Sequence, residues 1–365
     1  RIKLQGGFSY NIIHKMYCGG IYKNLITAIS LLLIIGCGGI NKGGELVWPL
    51  PPDEPKIRYV GTLSTSRDVE KESIGKTLKT AVLGGEVVEG VVKPYGVHKD
   101  KDGRVYVADT GWGKVLVFDF AAKKFVILGA EGSGVLSKPA GITTDSTGRI
   151  FVTDTIQNRV VVYDKDTNFL LGIGKKGDLE QPVGIALNEK LDRLFVVDTN
   201  LHKIIVFNTK GDHLFDIGQR GMKDGEFNYP TNIFIDKEGK IYIMDSMNFR
   251  VQIFDADGKF IKKFGEVGTS YGQFSKPKGI ALDSEGHIYV VDSAFNNIQI
   301  FDQDGKLLLF FANMGNKAGE LWLPAGMFID EDDKIYVADQ YNRRINIYQY
   351  MGERYKAQKE KTVKN

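Results

Sequence analysis

Six aspartates, each followed five positions later by a basic residue or an asparagine, form the most regular chemical pattern in the sequence. The aspartates are Asp109, Asp154, Asp198, Asp245, Asp292 and Asp339, and their partners are Lys114, Arg159, Lys203, Arg250, Asn297 and Arg344. Carboxylates and bases gathered at one site can transfer protons in catalysis. A pair that recurs at every occurrence of a repeat is better explained by a hydrogen bond that the fold needs each time, and we predict this structural role.

The repeat that carries these pairs is a unit of short strands. Each aspartate ends a version of one strand, such as Val105–Asp109 or Ile335–Asp339, and the aspartates are spaced 45, 44, 47, 47 and 47 residues apart. A proline precedes each unit: Pro94, Pro139, Pro182, Pro230, Pro277 and Pro324. Turns rich in aspartate and glycine separate four strands per unit. A unit of about 45 residues with four strands predicts one blade of a β-propeller.

The pattern Pro-x-Gly-Ile, Ile-Tyr-Val-Ala-Asp and Asn-Arg-Val-x-Val-Phe resembles the NHL repeat over Val92 to Tyr350. The Trp-Asp and Gly-His signatures of WD40 repeats are absent. The resemblance implies an all-β, six-bladed β-propeller of four-stranded antiparallel blades. We predict that the segment 56–63 completes the last blade and closes the ring, which removes an exposed strand edge. Spacing of apolar residues also predicts a short amphipathic helix over 67–82.

Composition and charge exclude several classes of protein. With 42% hydrophobic and 25% charged residues among 365, the chain is a globular protein, and 43 glycines favour many tight turns. Residues 1–36 carry a net charge of +4, and the remaining residues carry −1. A nucleic-acid partner needs a dense cationic surface, so we predict none.

The N-terminal segment predicts export. Lys23 precedes the apolar run 25–35, and Cys37 follows Gly36. This arrangement resembles the signal of bacterial lipoproteins and implies that Cys37 is lipidated at the cell envelope. We therefore divide the chain into an upstream extension and signal (1–36), a flexible tether (37–55), the propeller (56–350) and a basic, frayed tail (351–365), with Met16 as the expected start of the signal.

Residues that break the repeat are candidates for function. In loops of one face these are the aromatic residues and the histidine Trp112, His202, Phe249, Phe295 and Tyr341. Near the expected channel mouth they are Tyr95, Thr231, Asn232 and Lys278. Exposed aromatic side chains on a rigid scaffold are typical of partner binding. We predict a monomeric, non-catalytic platform that binds a protein or peptide and needs no cofactor. Packing of the aromatic residues on neighbouring loops is the alternative.

A metal-dependent enzyme is the other open alternative, because propellers that resemble this one include a peptide-amidating lyase and lactonases with a divalent ion in the channel. His98 is predicted on an inner strand, His202 in a loop of one face, and His213 and His287 in turns of the opposite face. Three histidines are therefore not expected to meet at one zinc ion. A calcium site with oxygen ligands such as Thr231 and Asn232 stays open.

Overall fold

Each predicted repeat forms a four-stranded antiparallel sheet in the computed structural model, which describes residues 39–40, 44–70 and 89–364. Blades 1 and 2 contain β4 (Pro94–Lys99), β5 (Val105–Asp109), β6 (Lys114–Asp119), β7 (Lys124–Leu128), β8 (Pro139–Thr144), β9 (Ile150–Asp154), β10 (Arg159–Tyr163) and β11 (Phe169–Ile173). Blades 3 and 4 contain β12 (Pro182–Asn188), β13 (Arg193–Asp198), β14 (Lys203–Phe207), β15 (His213–Ile217), β16 (Pro230–Ile235), β17 (Ile241–Asp245), β18 (Arg250–Phe254) and β19 (Phe260–Phe264). Blade 5 contains β20 (Pro277–Leu282), β21 (Ile288–Asp292), β22 (Asn297–Phe301) and β23 (Leu307–Phe311).

The sixth blade combines both ends of the propeller, which confirms the predicted closure. Its first three strands are β24 (Pro324–Ile329), β25 (Lys334–Asp339) and β26 (Arg344–Tyr350), and β3 (Ile57–Leu63) pairs antiparallel with β26. Beyond β3 the sheet continues through β2 (Leu46–Trp48) and β1 (Gly39–Ile40). The last blade therefore has six strands where the sequence predicts four.

The predicted flexible tether over 37–55 is wrong for its strand-forming part. Val47 and Trp48 of β2 are buried, and the Trp48 ring lies 5.9 Å from the ring of Phe311 and 5.8 Å from that of Tyr348. Burial of large apolar side chains offsets the entropy lost when the segment is ordered. Cys37 and the predicted signal lie outside the described residues, as does most of the helix predicted over 67–82, of which a 3-10 turn at Ser66–Asp68 is described.

The core lies between adjacent blades. The second strands of blades 1, 2, 4 and 5 are buried along their whole length, because each has a neighbouring blade on both faces. Between blades 3 and 4, for example, Phe195 and Val206 pack against Ile233, Ile243 and Phe254. This packing holds the connecting loops of each blade on a rigid frame.

Glycines let the inner strands approach each other around the central channel. The third residue of the inner strand is Gly96, Gly141, Gly184, Gly279 or Gly326 in five blades and Asn232 in blade 4. A Cβ atom at Gly96 would lie 2.1 Å from the carbonyl oxygen of Ala140 in the next blade. The channel is therefore narrow, and its cavity measures about 160 Å³.

The C-terminal residues form a helix, α1 (Glu353–Lys364), where the sequence predicts a frayed tail. The side-chain amide of Gln358 donates to Asp332, and Lys356 forms an ion pair with Glu54 at 3.2 Å. Contacts with two separate loops order the segment. Across the residues that the structure describes, no helix combines the length and the apolar character needed to cross a bilayer.

Candidate functional site

The repeated aspartates hold the loops of their blades, as predicted. Asp109 accepts hydrogen bonds from the backbone N–H groups of Val92 and Lys93, before the inner strand, and from those of Gly111 and Trp112, after the second strand. One buried carboxylate thus joins two loops of the same blade. Such a bond satisfies backbone donors that the loop geometry leaves without a strand partner.

Seven large apolar side chains are exposed on the face to which these loops belong. We call this the loop face; it consists of the loops between the second and third strands and the two residues that directly precede each inner strand. The seven are at least 40% exposed, and we call them the apolar ring: Val92, Trp112, Ile156, Tyr229, Met247, Leu323 and Tyr341. Blades 1, 2, 4 and 6 contribute them. Exposed apolar side chains on one face of a rigid scaffold are typical of a surface that binds a partner.

The structure separates the predicted aromatic residues into two groups. Trp112 and Tyr341 are 42% and 58% exposed, and the Tyr341 ring lies 4.0 Å from that of Trp322. Phe249 and Phe295 are half-buried, and Phe249 packs against the core between blades 4 and 5. Of the aromatic residues predicted from the sequence, Trp112 and Tyr341 therefore belong to the exposed surface.

His202 is a packing residue of the loop face. Its side chain is buried, its Nδ1 accepts from the backbone N–H of Tyr229 at 3.0 Å, and its ring lies 4.4 Å from the Tyr229 ring. His202 and Phe249 both occupy the fourth position after the repeated aspartate, where φ is positive in every blade. His202 and Phe249 therefore differ from the other blades in residue type, but they occupy a backbone position that every blade contains.

Tyr95, Thr231 and Asn232 line the central cavity, as predicted for the channel mouth. The Thr231 hydroxyl lies 2.6 Å from the Ser246 hydroxyl and donates to the backbone carbonyl of Lys278 at 3.2 Å. Burial raises the pKa of Tyr95 to about 12, so its hydroxyl stays protonated at neutral pH. These groups are neutral hydrogen-bonding partners.

Lysines flank the proline that starts the inner strand in three blades. Lys93, Lys138 and Lys276 directly precede the inner strands of blades 1, 2 and 5, and Lys278 directly follows Pro277. The pKa of Lys278 is lowered to about 8, mainly by burial and to a lesser extent by the positive charges of Lys276 and Lys93. Lys93 and Lys276 were not singled out from the sequence, since a lysine before the proline looks like an ordinary surface residue.

The histidines do not converge. His98 lies on the inner strand β4, and its Nε2 is 2.9 Å from the Thr144 hydroxyl. Burial lowers its pKa to about 4, which keeps the imidazole neutral at pH 7. His213 hydrogen-bonds with Asp216 within β15, and His287 hydrogen-bonds with Asp283 within the turn between β20 and β21. Among the described residues, no group of three or more His, Cys, Asp or Glu side chains is placed to hold a metal ion.

One segment matches a hydrolase motif in spacing only. Residues 268–272 read Gly-Thr-Ser-Tyr-Gly, the Gly-x-Ser-x-Gly pattern of a nucleophilic serine. In the structure this segment lies in the loop between β19 and β20, and the backbone N–H of Ser270 donates to Gln273. The strand-to-helix turn that exposes such a serine in hydrolases is replaced here by a connection between two blades.

Comparisons with known proteins agree with this architecture. A sequence profile of a family described as "6-bladed beta-propeller" matches residues 185–263, 237–294 and 281–364. No curated protein matches the chain in sequence. The protein is a six-bladed β-propeller of antiparallel blades.

Solved structures with the same fold are distant in sequence. A protein of unknown function from Bacteroides thetaiotaomicron superposes with a TM-score of 0.58 at 17% identity, covering 80% of this chain and 76% of that one. An auxiliary nutrient binding protein from the same organism gives 0.56 at 15%, covering 72% and 70%. Virginiamycin B lyase from Staphylococcus aureus gives 0.53 at 15%, covering 71% and 95%. These likenesses show the fold alone.

Proposed function

We propose that this propeller, which we infer to be of the NHL type, is a non-catalytic platform that binds a protein or peptide through its loop face. The observation that carries the proposal is the apolar ring, to which four of the six blades contribute exposed side chains. Trp and Tyr are the residues that most often dominate binding energy at interfaces, and Trp112 and Tyr341 are among the exposed members.

The rigid loops and packed blades beneath the apolar ring suit a binding surface. The loops are held by buried carboxylates and by close packing between blades, so little conformational entropy is lost when a partner binds. One structural neighbour is described as a nutrient binding protein, which is compatible with a binding role on this fold.

A metal-dependent lyase or lactonase has less support. The polar side chains that line the central cavity include one imidazole, that of His98, and no carboxylate among the described residues. A divalent ion in a catalytic site is normally held by several histidine or carboxylate ligands. Elemental analysis of the purified chain separates the two functions, because one tightly bound divalent ion per chain would favour the enzyme.

We also propose that the chain is an exported lipoprotein of a bacterial envelope, anchored through Cys37. In sequence a single residue, Gly38, separates Cys37 from β1 at the outer edge of blade 6. One residue spans at most about 3.6 Å, so the anchor would hold the edge of blade 6 close to the membrane surface. Loss of labelled palmitate and release from the membrane fraction are expected for Cys37→Ser, and retention of both would contradict the anchor.

Replacing Trp112 and Tyr341 together by alanine is expected to weaken partner binding by about a hundredfold to a thousandfold, since truncated aromatic hot spots typically lose about 2 kcal/mol each. The partner would first be captured in envelope fractions by a photoreactive amino acid placed at position 156 of the apolar ring. The yield of that crosslink then measures binding in each variant. Leu214 and Leu308 are 44% and 48% exposed on outer strands, and alanine at both positions is the matched control.

The control is expected to leave the crosslink yield unchanged. An equal loss in the control and in the Trp112→Ala/Tyr341→Ala variant would show that the loop face is not the binding surface.

A further inference from the structure

We propose that the partner presents an acidic peptide segment flanked by apolar residues, and that its carboxylate binds Lys93, Lys276 and Lys278 while its apolar side chains contact the apolar ring. This inference rests on the proposed binding function of the loop face and names the chemistry of the ligand.

The lysines converge although they come from blades on either side of blade 6. Lys278 follows its proline, as do Tyr95, Ala140, Val183 and Thr231, which line the central cavity in blades 1 to 4. The charge of Lys93, on blade 1, acts on Lys278, on blade 5. The inner strands that carry them lie close together around the channel. A Cβ atom at Gly279 of blade 5 would lie 2.7 Å from the carbonyl oxygen of Ala325 in blade 6, and one at Gly326 of blade 6 would lie 2.4 Å from that of Tyr95 in blade 1.

The positive charge at this mouth has no acidic partner in the described part of the chain. None of the three lysines forms an ion pair there, whereas Lys240 and Lys262 on the opposite face pair with Glu238 and Asp304. The acid that acts on Lys278 is Asp292.

The carboxylate of Asp292 is already engaged by the backbone. It accepts from the N–H groups of Ser275, Lys276 and Ala294. Lys278 is half-buried, whereas Lys93 and Lys276 are exposed. An unpaired, half-buried cation destabilises a fold, and proteins retain such groups mainly at functional sites.

The side chains around the lysines indicate which kind of anion binds there. A nucleic acid needs a denser cationic surface than the few lysines at this mouth provide. A lysine is a point charge that binds carboxylate and phosphate alike, but a small inorganic anion such as phosphate would leave the apolar ring uncovered. An acidic side chain between apolar residues satisfies both the charges and the ring.

Calorimetric titration of the full chain with capped peptides tests the inference. The probe is acetyl-Ser-Phe-Glu-Glu-Phe-Ser-amide, and the matched probes replace both glutamates by glutamine or by lysine. We expect the glutamate peptide to bind about tenfold or more tightly than the glutamine peptide, and the lysine peptide not to bind. The preference for glutamate should shrink as salt rises from about 50 mM to about 500 mM.

Lys276→Gln combined with Lys278→Met is expected to abolish the preference for the glutamate peptide. The control is Lys259→Gln combined with Lys306→Gln, which removes two charges from exposed turns of the opposite face. Loss of binding through misfolding is distinguishable, because removal of an unpaired, half-buried charge should raise the melting temperature of the Lys278→Met variant.

Each outcome decides the inference. Equal binding of the glutamate and glutamine peptides, or no binding of any peptide, overturns the acidic ligand and leaves the platform to the crosslinking test above. A preference for glutamate that survives both lysine substitutions also overturns it. If the lysines matter but Trp112→Ala with Tyr341→Ala changes nothing, the proposed role of the apolar ring fails and the anion site alone stands.

Discussion

A chain that begins at residue 65, and therefore lacks β1 to β3, is expected to lose its folded monomeric state. β3 pairs with β26 along its whole length and buries Ile57 and Leu63, which are 0% and 5% exposed. Without β3 the ring has no closing strand, and β26 presents an open edge with unpaired backbone groups. Such edges pair with other chains and lead to aggregation. Size-exclusion chromatography and circular dichroism measure the effect.

A chain that begins at residue 56 is the matched control, because it keeps β3 and loses only β1 and β2. We expect this chain to stay monomeric and folded but to melt several degrees lower, since the buried Trp48 side chain is lost. If the chain beginning at residue 65 were equally monomeric and stable, closure by β3 would not be what holds the ring together.

The closing strand was predictable, whereas the two strands beyond it were not. The segment 57–63 has seven residues of strand composition next to a ring that lacks one strand, so both local pattern and topology indicate it. β2 has three residues between glycine-rich and proline-rich stretches, and its pairing depends on the pocket that Phe311 and Tyr348 form for Trp48. No local sequence pattern indicates this contact, because it forms only in the folded protein. The helix α1 did have a signal, because its segment is rich in lysine, glutamate and other helix formers.

The residues of the candidate site likewise divide into those that the sequence indicates and those that it does not. Trp112 and Tyr341 could be found because they depart from the repeat in type and lie at exposed loop positions. Ile156 and Met247 were missed because aliphatic residues in a loop do not stand out from a β-rich sequence. The convergence of Lys93 and Lys278 is a property of the closed ring, since 185 positions separate them in the chain. Only the register of the blades brings them to one mouth.

Asp245→Ala is expected to lower the free energy of unfolding by about 3–5 kcal/mol, a large part of the stability of a typical domain. The Asp245 carboxylate is fully buried and accepts from the N–H of Asn228 at 2.7 Å and from the side chains of Asn248, Arg250 and Gln252 at 2.8, 2.9 and 3.1 Å. Burial raises the pKa of this carboxyl, and these donors offset only part of the effect. Its removal leaves the guanidinium of Arg250, itself buried, without its carboxylate.

Asp292 provides a comparison without the ion pair. It is equally buried, but it accepts from the backbone N–H groups of Ser275, Lys276, Ala294 and Phe295, and Asn297 stands where blade 4 has Arg250. Asp292→Ala should therefore lower the free energy of unfolding by only about 1–3 kcal/mol, the loss expected for unsatisfied neutral donors. Arg250→Met added to Asp245→Ala should restore part of the loss. Denaturant titration of the three variants measures these values; equal losses for Asp245→Ala and Asp292→Ala would mean that the loop amides, rather than the buried ion pair, account for the conserved geometry of the repeat.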